Sequence, residues 1–220
     1  MSGPAQAALT LVLTACDSGL RPLDQFPETP AVTLPAVVRA DFLALLDLIS
    51  HNSTKAALAL KPGSPAYAAA VAPLTEIAAR ITAISHCVRL FDPAHGRALS
   101  NEATSLARQV IEAVRSLAQT LATTGDDYLV RTAAVHDLID KARGPDGLSA
   151  DNVSAVRKLW LSDQASLIDG YEELVQVVDA TPTEQDDGWD ELGLGTESLS
   201  ATEIERAKKV CSQRVCFFCS

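Results

Sequence analysis

A chain of 220 residues and 23.2 kDa is long enough for one well-buried domain plus tails, and a second domain is not required. Its residues are 47% apolar but only 5% aromatic, so Ala, Leu and Val fill the interior, which suits packed helices and argues against strands. A formal charge of −10 and a pI near 4.8 leave no phosphate-neutralising surface, so direct nucleic-acid binding is disfavoured.

The chain opens on an apolar stretch over residues 7–12, followed by Leu13-Thr14-Ala15-Cys16. Those four residues have the form of a lipoprotein cleavage box, which would make Cys16 a lipidated N-terminus. Residues 1–15 carry no Lys or Arg, however, and a secretory leader needs a positive start. A short amphipathic helix is the reading adopted here.

Pro22, Pro27 and Pro30 then mark an extended connector over residues 21–34. A helix is expected from about residue 35 to 60, with Phe42, Leu45, Leu46, Leu48 and Ile49 on its apolar face. The polar run Ser50-His51-Asn52-Ser53-Thr54 interrupts that face as a kink or a polar layer. Two N-glycosylation sequons, at Asn52 and Asn152, fall in expected helix and are discounted.

Residues 64–121 read as two long helices folded into an antiparallel hairpin across Phe91-Asp92-Pro93-Ala94-His95-Gly96. Leu74, Ile77, Ile81, Ile84, Val88 and Phe91 form one stripe, and Leu99, Ala103, Leu106, Val110, Ala113, Leu117 and Leu121 the other. Ser64 is expected to cap the first arm with Pro65 in its first turn, and Pro73 to kink or restart it near residues 69–72. Thr124-Gly125 closes the second arm and Asp126-Asp127 opens a helix from about Tyr128 to Arg143.

Gly144-Pro145-Asp146-Gly147 is a turn, after which Ser149 or Asp151 caps a helix reaching about Ala180. Val153, Val156, Trp160, Leu167, Tyr171, Leu174 and Val178 are expected to be its buried stripe. Residues 181–199 hold six carboxylates and no Lys or Arg, and read as an acidic linker in which Trp189, Leu192 and Leu194 have the character of docking anchors. Thr181-Pro182 there has the form of a proline-directed phosphorylation site. Ser200-Ala201-Thr202-Glu203 is a capping box opening a final helix with Ile204, Ala207 and Val210.

The expectation is therefore an all-α chain: a short helix and Pro-rich connector (1–33), an antiparallel bundle of about five long helices (34–180), the acidic linker (181–199) and a C-terminal helix (200–220). That last helix, with Ile204, Val210, Phe217 and Phe218, is the surface expected to hold a partner or a second copy.

The order of these features resembles the cyclin-D-interacting proteins, helix-loop-helix regulators without a basic region. The residues carrying the resemblance are Ser53-Thr54-Lys55-Ala56-Ala57-Leu58, the hairpin with its Arg89-Leu90-Phe91-Asp92-Pro93-Ala94-His95-Gly96 loop, Tyr128-Leu129-Val130, residues 151–178, and Asp186-Asp187-Gly188-Trp189-Asp190 followed by Leu199-Ser200. It implies an all-α module that binds cyclin D and helix-loop-helix transcription factors and restrains cell-cycle progression in nucleus and cytoplasm. It also implies a second helical half, of which residues 200–220 would be the start.

Chemistry-bearing residues are sparse. Cys216-Phe217-Phe218-Cys219 with Cys211 offers three thiolates but no fourth ligand, so no metal is expected. The nucleophile-elbow, zincin, dinucleotide and P-loop patterns are all missing, so neither enzyme chemistry nor a cofactor is expected. The alternative function is a lipid-anchored or secreted helical bundle with Cys16 at its mature N-terminus.

Overall fold

The computed structural model describes residues 3–24, 35–92, 96–123, 127–179 and 201–213, and every regular element among them is helical. The helices are α1 (Gly3–Leu20), α2 (Pro35–Ala59), α3 (Tyr67–Val88), α4 (Arg97–Thr123), α5 (Tyr128–Arg143), α6 (Asn152–Asp179) and α7 (Ala201–Gln213), with a 3-10 turn at Arg21–Asp24. Contacts divide the chain into two compact units, Met1–Lys158 and Leu159–Ser220.

In the first unit α3 is the central helix. Its apolar residues recur every three or four positions, and Leu74, Ile77, Ile81, Ile84 and Val88 are all buried. By length and mean hydropathy (1.2 over its best window) α3 also qualifies as a membrane-crossing helix, although the sequence shows no unbroken apolar run of that length. Here its apolar face meets α1 and α2.

The hairpin expectation needs correction at this point. The two arms exist, but α3 packs chiefly on α1 and α2, while α4 packs chiefly on α5 and α1. The cause lies at Gly19 near the end of α1, where an added Cβ would lie 2.6 Å from Ser85 Oγ, 3.3 Å from Ile81 and 3.6 Å from Ile111. Gly19 thus lets α1 lie against both arms. The first helix is not a short appendage, because Ala5, Leu9, Val12 and Cys16 are core residues.

Two further details of α3 differ from expectation. The helix begins at Tyr67 with Ala66 at the N-cap and no side-chain cap, so Ser64 does not cap it. Pro73 sits buried inside the helix. The carbonyl deprived of its partner by Pro73 belongs to Ala69, an exposed first-turn residue that water can reach, which limits the cost. At the far end of the helix Phe91 meets Phe42 of α2 edge to face, with centroids 5.8 Å apart and planes at 89°.

In α4 the buried set is Leu99, Ala103, Ala107, Val110, Ile111, Val114, Leu117, Ala118 and Leu121, while Leu106 and Ala113 are only half-buried. The expected stripe is thus rotated toward Ala107, Ile111 and Val114. The α5 boundaries are as expected, and Thr132, Val135, Ile139 and Ala142 are its buried face.

Asp151, of the two caps considered, holds the start of α6: its Oδ1 accepts the Ser154 N–H at 2.7 Å. That hydrogen bond is the main reason its carboxyl lies below the usual value of 3.8. A carboxyl lowered by folding stabilises the fold above its ordinary value and loses that contribution as pH falls through the lowered one. The Ser154 amide shift followed by NMR should therefore titrate with a midpoint below 3.8. A midpoint at or above the ordinary value would contradict the cap.

Candidate interaction surface

Three features of the described residues carry chemistry or exposed surface. The first is a polar layer between α2 and α5. Ser50 Oγ lies 2.7 Å from His136 Nδ1 and Thr54 Oγ1 lies 2.8 Å from His136 Nε2, so both ring nitrogens are bonded to one turn of α2. Asn52 Nδ2 donates to the Leu48 carbonyl at 2.8 Å. The Ser50 to Thr54 patch is thus a polar layer, and its counterpart is His136 of α5. Its signal was position: His136 adjoins Val135 on the buried edge of α5. With both nitrogens bonded to hydroxyls of α2, the ring latches α5 to α2.

The second feature ties down the turn before α6. Arg39 of α2 donates twice to the Leu148 carbonyl, at 3.0 and 2.9 Å. Glu102 of α4 accepts from the Ser149 N–H at 3.2 Å and from Lys158 at 2.7 Å, and Lys158 also donates to the Asp146 and Gly147 carbonyls. At the entry to α6, Asn152 Oδ1 accepts the Leu99 N–H at 3.2 Å. Bonds from α2 and α4 therefore tie down the turn before α6 and its first residues. Nothing local in the sequence links Lys158 to a partner 56 residues away.

The third feature is α6 itself, and here the expected burial fails. Val153 is 70% exposed, Val156 49%, Trp160 67% and Leu167 74%, with Leu159 and Leu161 also exposed. Tyr171 and Leu174 are half-buried, and Val178 has a side chain outside the described residues. Periodicity locates the apolar face of a helix, but it does not supply a neighbour to cover it. At the start of α6 only Ala155 is buried.

The docking residues read from the sequence fall largely elsewhere. Trp189, Leu192, Leu194, Phe217 and Phe218 lie outside the described residues, as do Thr181-Pro182 and His95. Ile204 and Val210 lie within α7, although their side chains lie outside the description. Among the thiols, Cys16 and Cys87 are buried, and burial pushes them up to about 12 and about 11 respectively. Neither is a nucleophile at neutral pH. Cleavage ahead of Cys16 would also take Leu9 and Val12 out of the core. Among the described residues no group of His, Cys, Asp and Glu side chains could hold a metal ion.

A cleft of about 310 Å³ opens beside the α2–α3 loop, lined by Leu60, Lys61, Pro62, Pro65, Tyr67 and Leu121. Its lining brings together no acid–base pair. Among the described residues, exposed large apolar side chains gather on α6, and a helix face of that kind suits contact with another protein.

No curated protein and no solved structure matches the chain. A family model described as Grap2 and cyclin-D-interacting, N-terminal, matches residues 41–180. That span runs from α2 to the end of α6 and is well over half of the sequence. The chain belongs to the Grap2 and cyclin-D-interacting family.

Proposed function

We propose that this protein is a non-enzymatic interaction module that binds cyclin D and helix-loop-helix transcription factors and restrains cell-cycle progression, working in nucleus and cytoplasm. The observation that carries this reading is the face of α6, where Trp160 and Leu167 are open to solvent two turns apart. An exposed apolar strip on a helix is what recognition by a partner helix needs. The family match supports cyclin D as the partner in this reading.

Self-association through α7 belongs to the same reading, since Ile204, Ala207 and Val210 recur every three residues along it. Light scattering of the chain with and without residues 200–220, under reductant, reads that contact as a change in mass.

The direct test is capture of a purified D-type cyclin by the immobilised full chain. Retention at micromolar concentration is expected. Absence of cyclin from the bound fraction would overturn the reading.

A further inference from the structure

We infer that the α6 face around Trp160 and Leu167 is a docking strip for a cationic amphipathic helix; this rests on the interaction reading above and names the chemistry of its partner. Trp160, Asp163, Leu167, Gly170 and Leu174 are spaced three and four apart, the heptad seam of paired helices. Trp160 and Leu167 are 67% and 74% exposed. Two large apolar side chains, two turns apart, therefore stand open on one line.

Gly170 is the second observation. Glycine weakens a helix interior relative to alanine, and it is normally kept where another group needs the space of the missing Cβ. An added Cβ at Gly170 would meet nothing within 4 Å. Among the described residues nothing uses the gap, whereas a partner side chain seated between Leu167 and Leu174 would fill it.

Charge selects the partner. From Leu159 to Asp179 the charged residues are Asp163, Asp169, Glu172, Glu173 and Asp179, with no Lys or Arg, in a chain of formal charge −10. A helix is only about 10 Å across, comparable to the Debye length of roughly 8 Å at physiological salt, so all of these carboxylates act on a helix laid along α6. They favour Lys and Arg flanks and oppose both a second copy of this acidic chain and an anionic membrane. The Trp160 ring adds a face on which a cation can rest.

The test uses the full chain with Trp189→Phe, which leaves Trp160 as the sole indole. Its emission is followed against three synthetic peptides of about five helical turns: a Leu heptad with Lys and Arg flanks, the same heptad with Glu flanks, and a scrambled basic control. The basic amphipathic peptide should shift Trp160 emission to the blue and bind at least about tenfold more tightly than the Glu peptide, with affinity falling as salt rises. Leu167→Glu and Gly170→Gln should each weaken it by about tenfold or more, with helicity by circular dichroism unchanged.

Equal binding of the Glu peptide or the scrambled control, or undiminished binding by Leu167→Glu, would overturn the inference. So would a blue shift that grows with protein concentration alone, which would assign the strip to a second copy, or one produced only by anionic lipid vesicles. The two readings separate in the cyclin capture. If Leu167→Glu still retains cyclin and the basic peptide leaves Trp160 unchanged, the strip falls and the interaction module stands; if the parent chain retains none, the module itself falls.

Discussion

Truncating Ile81 to Ala is expected to destabilise the first unit by about 2–5 kcal/mol, because the removed atoms lie where α1 and α3 close together and the neighbours cannot collapse into the space. Ile81 is 0% exposed, and its Cγ2 lies 3.3 Å from the position a Gly19 Cβ would take. Leu106→Ala should cost distinctly less, since Leu106 is only half-buried at the edge of α4. For a chain of this size each kcal/mol moves the melting temperature by roughly 2–4 °C, so the two variants are separable in a thermal melt. Equal shifts would mean that α1 does not close over Ile81.

That contrast marks where sequence information ended. The 3.6-residue period in α3 and α4 identified both helices and most of their buried residues, because each carries an apolar face whose neighbours are all supplied by the chain. It failed on which helix meets which. The hairpin reading paired the two arms by proximity in sequence, whereas Gly19 near the end of α1 allows a third helix to lie against both. A glycine that serves close approach looks, in sequence, like one that ends a helix.

The α6 stripe was misread for a related reason. Val153, Val156, Trp160 and Leu167 have the spacing of a buried stripe, and the same spacing serves a stripe meant for another molecule. Exposure is a property of what lies opposite. The clamp on the turn before α6 was equally hidden, since Arg39, Glu102 and Lys158 reach Leu148, Ser149 and the Asp146 carbonyl across long stretches of chain. By contrast the Asp151 cap and the Gly144-Pro145-Asp146-Gly147 turn were legible, because their chemistry is local.

The same turn gives the second large expected effect. Gly147→Ala should destabilise the fold by about 3 kcal/mol, at the upper end of what overpacking costs, because the added Cβ would overlap the Ala142 carbonyl and come within 2.5 Å of the Lys141 oxygen. Those are backbone atoms at the end of α5, so no rotamer change relieves the clash. The turn must move instead. Movement strains the Leu148 N–H bond to Ala142 (2.9 Å), the Lys158 bond to the Gly147 carbonyl (2.9 Å) and the paired Arg39 bonds to Leu148. Gly144→Ala is the control three residues away. Gly144 has φ −65° and ψ 174°, which alanine adopts freely, and its Cβ would lie 3.4 Å from the nearest atom, so its effect should be near zero. Denaturant unfolding of both variants decides between them. If displacement of the turn is the cause, Arg39→Ala should cost less in the Gly147→Ala background than in the parent, because the Leu148 carbonyl has already left its place. Additive losses would mean that the turn stays put and that α5 yields to the added methyl group.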